Sequence, residues 1–365
     1  MVRALWLELR DFRNHADVSV QIPPGLTAVV GPNGRGKTNL LEGLYYLCAL
    51  TSPRVSSDLP LVRVGATSGY LRGEVESSSG RALIEIEIRA TGQNRIQVNR
   101  SAVRRKRDLR RHVRAVFAGP DDLDVVQGDP SERRRFMDEA VAALWPAKDT
   151  LTAHYERALR QRNRLLKDWA GVGEPPGLTG WDDELVRHGT AVIEARAAAV
   201  ERLRQQAGEE FQTLSAGGEA ALRVEYRPSV EATSQIGIAD AFRNRLEERR
   251  ADELVRRTTL VGPHRDDLGL HVEGLTARGF ASHGEAWGAA ISLRLALARA
   301  VQDEVSEPPI LLLDDPFSGL DPMRRTQLAE SLIDRGQLLM AVPDEAQVPS
   351  AATLWCLEEG GLVRG

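Results

Sequence analysis

The chain has 365 residues, 42% hydrophobic and 27% charged, with 48 Lys+Arg against 52 Asp+Glu and a formal net charge of -4. This suits a globular protein with room for two packed units, and it excludes binding of nucleic acid through bulk charge, so any such contact must come from local clusters. Cys48 and Cys356 lie far apart in apolar surroundings. They are too few for a disulfide or metal-ligand framework, and with no signal-peptide core and no membrane-length apolar run, a cytoplasmic protein without a membrane partner is expected.

In chain order, Leu5–Leu9 and Val18–Ile22 alternate apolar and polar residues, as half-buried strands do, whereas Leu26–Val30 is continuously apolar and predicts a strand covered on both faces. That third strand runs into Gly31-Pro32-Asn33-Gly34-Arg35-Gly36-Lys37-Thr38, and a helix is predicted from Thr38 to Cys48. Tyr70–Val75, Ala82–Ile88 and Arg95–Val98, separated by turn signals, predict an antiparallel meander. From Pro130 to about Gln206 helix formers dominate, broken at 171–177, which predicts a hairpin-like pair of long helices. Strands return at Leu222–Tyr226 and Leu268–Val272, and the last third alternates helix and strand: Trp287–Gln302, Ile310–Leu313, Pro322–Ile333, Gln337–Val342, Leu354–Leu357.

The 31–38 segment matches the P-loop pattern in its required context, after a buried strand and before a helix. Glycines let backbone N–H groups turn toward a phosphate, and the helix amino end adds positive dipole. Gly34 and Gly36 are placed for that cradle with Asn33 and Asn39 beside it; Lys37 should reach the β- and γ-phosphates of ATP, and the Thr38 hydroxyl should ligate Mg²⁺. Ile310–Leu313 then ends in Asp314-Asp315, where Asp314 would hold the Mg²⁺ shell and Asp315 polarise an attacking water. Taken alone, two acids after a strand also serve as a helix cap or turn, and Ser282 with Gly284 before a helix also reads as a cap. The ordered series of Ser282-His283-Gly284, helix, apolar strand with two acids, then Ser318-Gly319-Leu320-Asp321 is far more specific than any member. It is the order of the ABC ATPase signature, Walker B and D-loop. A P-loop leaves one face of the terminal phosphate open; Ser282, Gly284 and Asp321 of a second copy would cover it.

These residues, with Leu9-Arg10-Asp11-Phe12-Arg13-Asn14-His15 at the amino end and the blocks 128–138, 155–167 and 262–268, resemble the RecF family of ABC- and SMC-type ATPases over essentially the whole length. The resemblance implies an α/β fold: a P-loop ABC-type ATPase head with a mixed sheet and antiparallel meander, formed by 1–112 and 207–365, with a helical second lobe, 113–206, inserted between them. It places Arg13 near the nucleotide phosphates. It implies ATP-driven homodimers that clamp double-stranded or gapped DNA, hydrolyse ATP slowly, and work with RecR and RecO to place RecA in recombinational repair and the SOS response. Departures from the family pattern point to slow turnover: Glu285 replaces a glutamine after the signature glycine, no Q-loop glutamine precedes Pro120, and no histidine follows the strand 337–342. A second reading is a non-catalytic ATP-switched tether for DNA or partner proteins; a transporter motor would need a membrane partner.

Arginines crowd positions 100–114, and Arg104, Arg105, Lys106, Arg107 and Arg110 are the candidate contacts to DNA phosphates. Charge runs of this kind also make solvated helix faces. With 5% aromatic residues and none interleaved with the basic cluster, duplex or junction binding is preferred over a single-strand stacking platform.

Overall fold

The computed structural model describes residues 2–103, 105–215, 221–233, 235–358 and 361–364. The strands are β1 (Arg3–Phe12), β2 (His15–Gln21), β3 (Leu26–Val30), β4 (Ser68–Ser77), β5 (Gly80–Arg89), β6 (Arg95–Val98), β7 (Ser101–Ala102), β8 (Ala115–Ala118), β9 (Leu222–Arg227), β10 (Asp267–Val272), β11 (Leu275–Thr276), β12 (Ile310–Asp314), β13 (Leu338–Val342), β14 (Thr353–Glu358) and β15 (Gly361–Arg364). The helices are α1 (Lys37–Ala49), α2 (Lys106–Leu109), α3 (Leu123–Gln127), α4 (Pro130–Leu144), α5 (Leu151–Asp168), α6 (Leu178–Leu214), α7 (Ile238–Arg256), α8 (Ala277–Phe280), α9 (His283–Val305) and α10 (Pro322–Ser331).

Alternation along β1, β4 and β5 pays off as an antiparallel sheet in the order β2-β1-β4-β5-β6-β7. The continuously apolar runs build the other large sheet, β15-β14-β3-β13-β12-β8, parallel except for β15. Both faces of that sheet are covered, as such runs require. Leu311 and Leu313 pack into a core with α4, α6 and α9, while Ile310 and Leu312 pack with α1 and the antiparallel sheet. A three-stranded antiparallel sheet, β11-β10-β9, joins the first of these cores. The fold class expected from the sequence, an ABC-type head of mixed sheet and meander with a helical lobe, is the one observed.

The stretch 113–206 is not helical throughout. Ala115–Ala118 pairs in register with Ile310–Leu313 and so belongs to the parallel sheet. The lobe's own core of Tyr155, Leu185 and Ile193 also draws in Phe242, Leu246 and Val261 from beyond residue 206, because α7 packs on α6. α6 runs 37 residues as one helix and packs against α5 and α7 of the lobe as well as α9 and α10. Among the described residues no helix is long and apolar enough to cross a membrane.

Candidate functional site

The loop between β3 and α1 is shaped by its glycines. Gly34 and Gly36 take φ of 83° and 109°, the left-handed region that favours glycine. At Gly36 space forbids a side chain as well, since a Cβ would lie 2.7 Å from the Asn14 amide and 2.8 Å from the His15 ring. The turn between β1 and β2 buttresses the loop there: Asn14 donates to the Arg35 carbonyl at 3.1 Å, and His15 Nε2 lies 3.1 Å from the Gly36 carbonyl. Asn39, on the first turn of α1, donates to Asn14 Oδ1 at 2.8 Å.

Lys37 folds back along this loop and donates to the Gly31 and Pro32 carbonyls at 2.6 and 3.1 Å, with Asn33 Oδ1 at 3.5 Å. Burial pulls its ammonium below the usual lysine range, and the charges of Asp314 and Asp315 push back upward. The Thr38 hydroxyl meets both carboxylate oxygens of Asp314, 2.8 and 2.9 Å away, across 276 residues of sequence. Asp314 ends a fully buried strand and is itself buried, so desolvation raises its carboxyl above the usual range while the Thr38 hydrogen bond opposes the rise. Asp315 follows at a left-handed φ of 47°; burial raises its carboxyl too, and Lys37 opposes that shift. The structure therefore brings together Lys37, Thr38, Asp314 and Asp315. Among the described residues no group of three or more His, Cys, Asp or Glu side chains is arranged to hold a metal. Two hard oxygen donors, Thr38 and Asp314, with the remaining positions left to water and phosphate, suit Mg²⁺.

Arg13, which the resemblance places near the nucleotide phosphates, is held against α1 here. Its guanidinium makes a bidentate pair with Glu42, 2.8 and 2.7 Å, and donates to the Pro60 carbonyl. Glu42 is fully buried on α1, and a buried carboxylate must be paired. Arg54 is the residue that sequence reasoning missed. It donates to Asn39 Oδ1 at 3.0 Å, approaches Glu42 at 3.5 Å, and lines a 260 Å³ cavity with Thr38 and Asp314. A lone arginine in the loop Thr51–Asp58 carries no pattern that would single it out.

At the other edge, Ser282 is the N-cap of α9 in a capping box. Its Oγ accepts from the Glu285 N–H at 3.3 Å and donates to Glu285 Oε2 at 2.7 Å, while Glu285 Oε2 accepts the Ser282 N–H at 2.8 Å. Those two bonds to Ser282 hold the Glu285 carboxyl below its ordinary range. Asp321 caps α10 by accepting the Met323 and Arg324 N–H groups, both at 3.0 Å. The two caps adjoin: a Cβ on Gly284 would lie 3.3 Å from the Gly319 carbonyl, and one on Gly319 would strike the His283 ring. Ser282 and Asp321 are both exposed.

Behind these elements Arg294 of α9 reaches Asp122, 2.9 and 2.6 Å from Nε and Nη2, and pairs with Glu139 of α4 at 2.8 Å. Tyr45 of α1 donates to the same Glu139 at 3.0 Å. One buried chain of polar groups thus links the P-loop helix, the lobe and the helix capped by Ser282.

The basic segment divides. Arg105 and Lys106 are exposed at the start of α2, and Arg107 lies 4.0 Å from Asp108. Arg104 lies outside the described residues. Arg110 turns inward and donates to the Ala49 carbonyl at 3.4 Å, at the end of α1, just as Arg114 donates to Ala143 and Leu144 at the end of α4. Helix ends leave such carbonyls unpaired, so these two arginines serve the fold. Lys148, on a turn packed against α2, is exposed and adds a positive charge there.

The family model described as RecF/RecN/SMC N terminal domain matches residues 5–356. The DNA replication and repair protein RecF of Streptomyces avermitilis is 41% identical over 369 residues, covering 98% of each chain. RecF of Kineococcus radiotolerans is 40% identical over 367 residues, covering 94% of each. Among solved structures, the recombination mediator protein RecF with ATP, of the RecFOR pathway, matches with a TM-score of 0.89 at 25% identity, over 100% of this chain and 98% of that one. An Smc head from Pyrococcus furiosus matches with a TM-score of 0.57 at 16% identity and shares the fold alone. The chain belongs to the RecF family, within the wider group of RecF, RecN and SMC proteins built on the ABC-type ATPase head.

Proposed function

We propose that this chain binds ATP with Mg²⁺, pairs with a second copy around two nucleotides, clamps duplex DNA and separates after slow hydrolysis. The observation that carries the reading is the Thr38–Asp314 contact beside Lys37, a phosphate and cation half-site whose donors rest on the chain's own carbonyl and carboxylate oxygens. Lys37 and the 31–36 N–H groups would take the β- and γ-phosphates, with Asn33 and Asn39 flanking them; Arg54 faces the same space. When bound there, Mg²⁺ supplies charge that neutralises phosphate oxygens. Asp315 would orient the attacking water, and Ser282, Gly284 and Asp321 of the second copy would close the site.

The relatives' role in replication and repair supports a place at gapped or stalled-fork DNA, where RecR and RecO help place RecA. For duplex contact the exposed Arg105 and Lys106 carry the reading, with the half-buried Arg107 beside them and Lys148 joining; Arg110 contributes least because it donates to the end of α1. Reversing Arg105 and Lys106 to glutamate should lower duplex affinity and reduce the salt slope by about two. An unchanged slope removes α2 from the interface.

The decisive measurement is sedimentation with ATP, ADP and no nucleotide, each with and without duplex DNA. Dimers should form with ATP only, and Ser282→Arg should abolish them while ATP still binds. A Ser282→Arg protein that dimerises normally defeats the shared-site reading. The tether alternative turns on Asp315, half-buried just after β12. It prevails if Asp315→Asn stops turnover while dimers and repair persist.

A further inference from the structure

Where β8 leaves the parallel sheet, the chain passes Gly119, and the place has no room for a side chain: a Cβ would lie 2.8 Å from the Phe117 ring and 3.5 Å from Asp314 Cβ. The loop therefore offers no side chain at the point nearest Asp314. Beside it opens the 260 Å³ cavity, walled by Thr38 and Asp314, by Arg54, by Asp121 of the loop, and by Arg135 from the lobe helix α4.

Arg135 belongs to the run Arg133-Arg134-Arg135, and the structure gives the three different employment. Arg133 is buried and bound to Asp267 at 2.6 and 3.1 Å and to the Gly128 carbonyl, and Arg134 donates to the Asp266 carbonyl at 3.0 Å. They hold α4 to the start of β10 and to the residue before it. Among the described residues Arg135 pairs with Glu132 alone, one turn back on its own helix at 2.6 Å, and its side chain is 55% exposed. Such surface pairs on one helix are weak and yield readily to a better anion. A terminal phosphate held beside Thr38 in this cavity would be that anion, and the planar guanidinium suits it.

We propose that Arg135 is the lobe's phosphate-recognising residue: it favours a nucleoside triphosphate over the diphosphate by exchanging Glu132 for the terminal phosphate, and so ties the position of α4 to the nucleotide. The inference rests on the ATP reading above, and α4 is a fitting lever because Glu139, one turn further on, sits in the chain of contacts to Arg294.

The test measures equilibrium affinity for fluorescent ATP and ADP analogues with Mg²⁺, in the full-length chain and again with Ser282→Arg added. Arg135→Ala should weaken ATP binding roughly tenfold and leave ADP binding unchanged, with Arg135→Lys recovering part of the loss. ADP affinity reports that the fold is intact. Should Arg135→Ala fail to fold, Glu132→Gln, which frees the guanidinium, should raise the preference for ATP over ADP. An unchanged preference in Arg135→Ala, or in Glu132→Gln if that is the variant that folds, overturns the proposal. Dimerisation of Ser282→Arg would strike the shared-site reading without touching this one; failure of the unaltered chain to bind ATP would overturn both.

Discussion

The P-loop half of the site and the edge carrying Ser282 and Asp321 handle their polar groups in opposite ways. Around the P-loop, donors lean on makeshift acceptors: Lys37 on two loop carbonyls, Thr38 on the Asp314 carboxylate. A phosphate arriving there exchanges one acceptor for a better one, with little rearrangement. At the other edge Ser282 and Asp321 complete their own helices, and Ser282 in particular is held from both sides by Glu285. That edge is ordered without a partner, and it gains from one only by giving up a local bond next to a fixed negative charge. On the proposed reading, the first region waits for a ligand, and the second stands alone and trades.

The most damaging change should strike both regions at once. Arg294→Met takes the compensating charge from Asp122 and Glu139, leaving them only the Gly119 N–H and the Tyr45 hydroxyl, and unfolding experiments in urea should show a loss of about 3–5 kcal/mol. A much smaller loss would mean the two regions are held independently. Lys37→Met should weaken ATP binding roughly a hundredfold and abolish ATP-driven dimers, while thermal stability holds, because its acceptors are loop carbonyls that water can reach. If stability collapsed instead, Lys37 would be a structural prop rather than a waiting donor. Asp321→Ala removes a helix cap, which should cost about 1 kcal/mol of stability with no change in monomer ATP affinity. Glu285→Gln keeps the capping box but deletes the charge, so the ATP-driven dimer should tighten roughly two- to fivefold at low salt, an advantage that fades as salt rises. A dimer weakened by Glu285→Gln would contradict the idea that this carboxylate opposes closure.

The parts legible from sequence were those written in contiguous patterns. A buried run such as Leu26–Val30 or Ile310–Leu313 announces a covered strand, and the glycines after β3 announce the loop because the left-handed backbone at Gly34 and Gly36 favours glycine. Side-chain partnerships across long separations were not legible: Arg294 with Asp122 across 172 residues, or Arg133 with Asp267 across 134. The different surroundings of the basic residues were hidden for the same reason. Arg110 and Arg107 look alike in a string of letters, and only the packing of α2 against the end of α1 sends Arg110 to a helix carbonyl. A strand inside the stretch 113–206 was not legible, because β8 is a four-residue strand whose place beside β12 is a matter of pairing rather than composition.

The unbroken helix α6 has a mechanical consequence. At 37 residues it is about 55 Å long, and it grips the lobe along one stretch and both α9 and α10 along another. Pivoted at one end, a rod of that length swings its far tip by about 1 Å for each degree of tilt. A rocking of the lobe too slight to disturb its own packing would therefore still displace the serine and aspartate edges together, as one bow stroke moves the whole string.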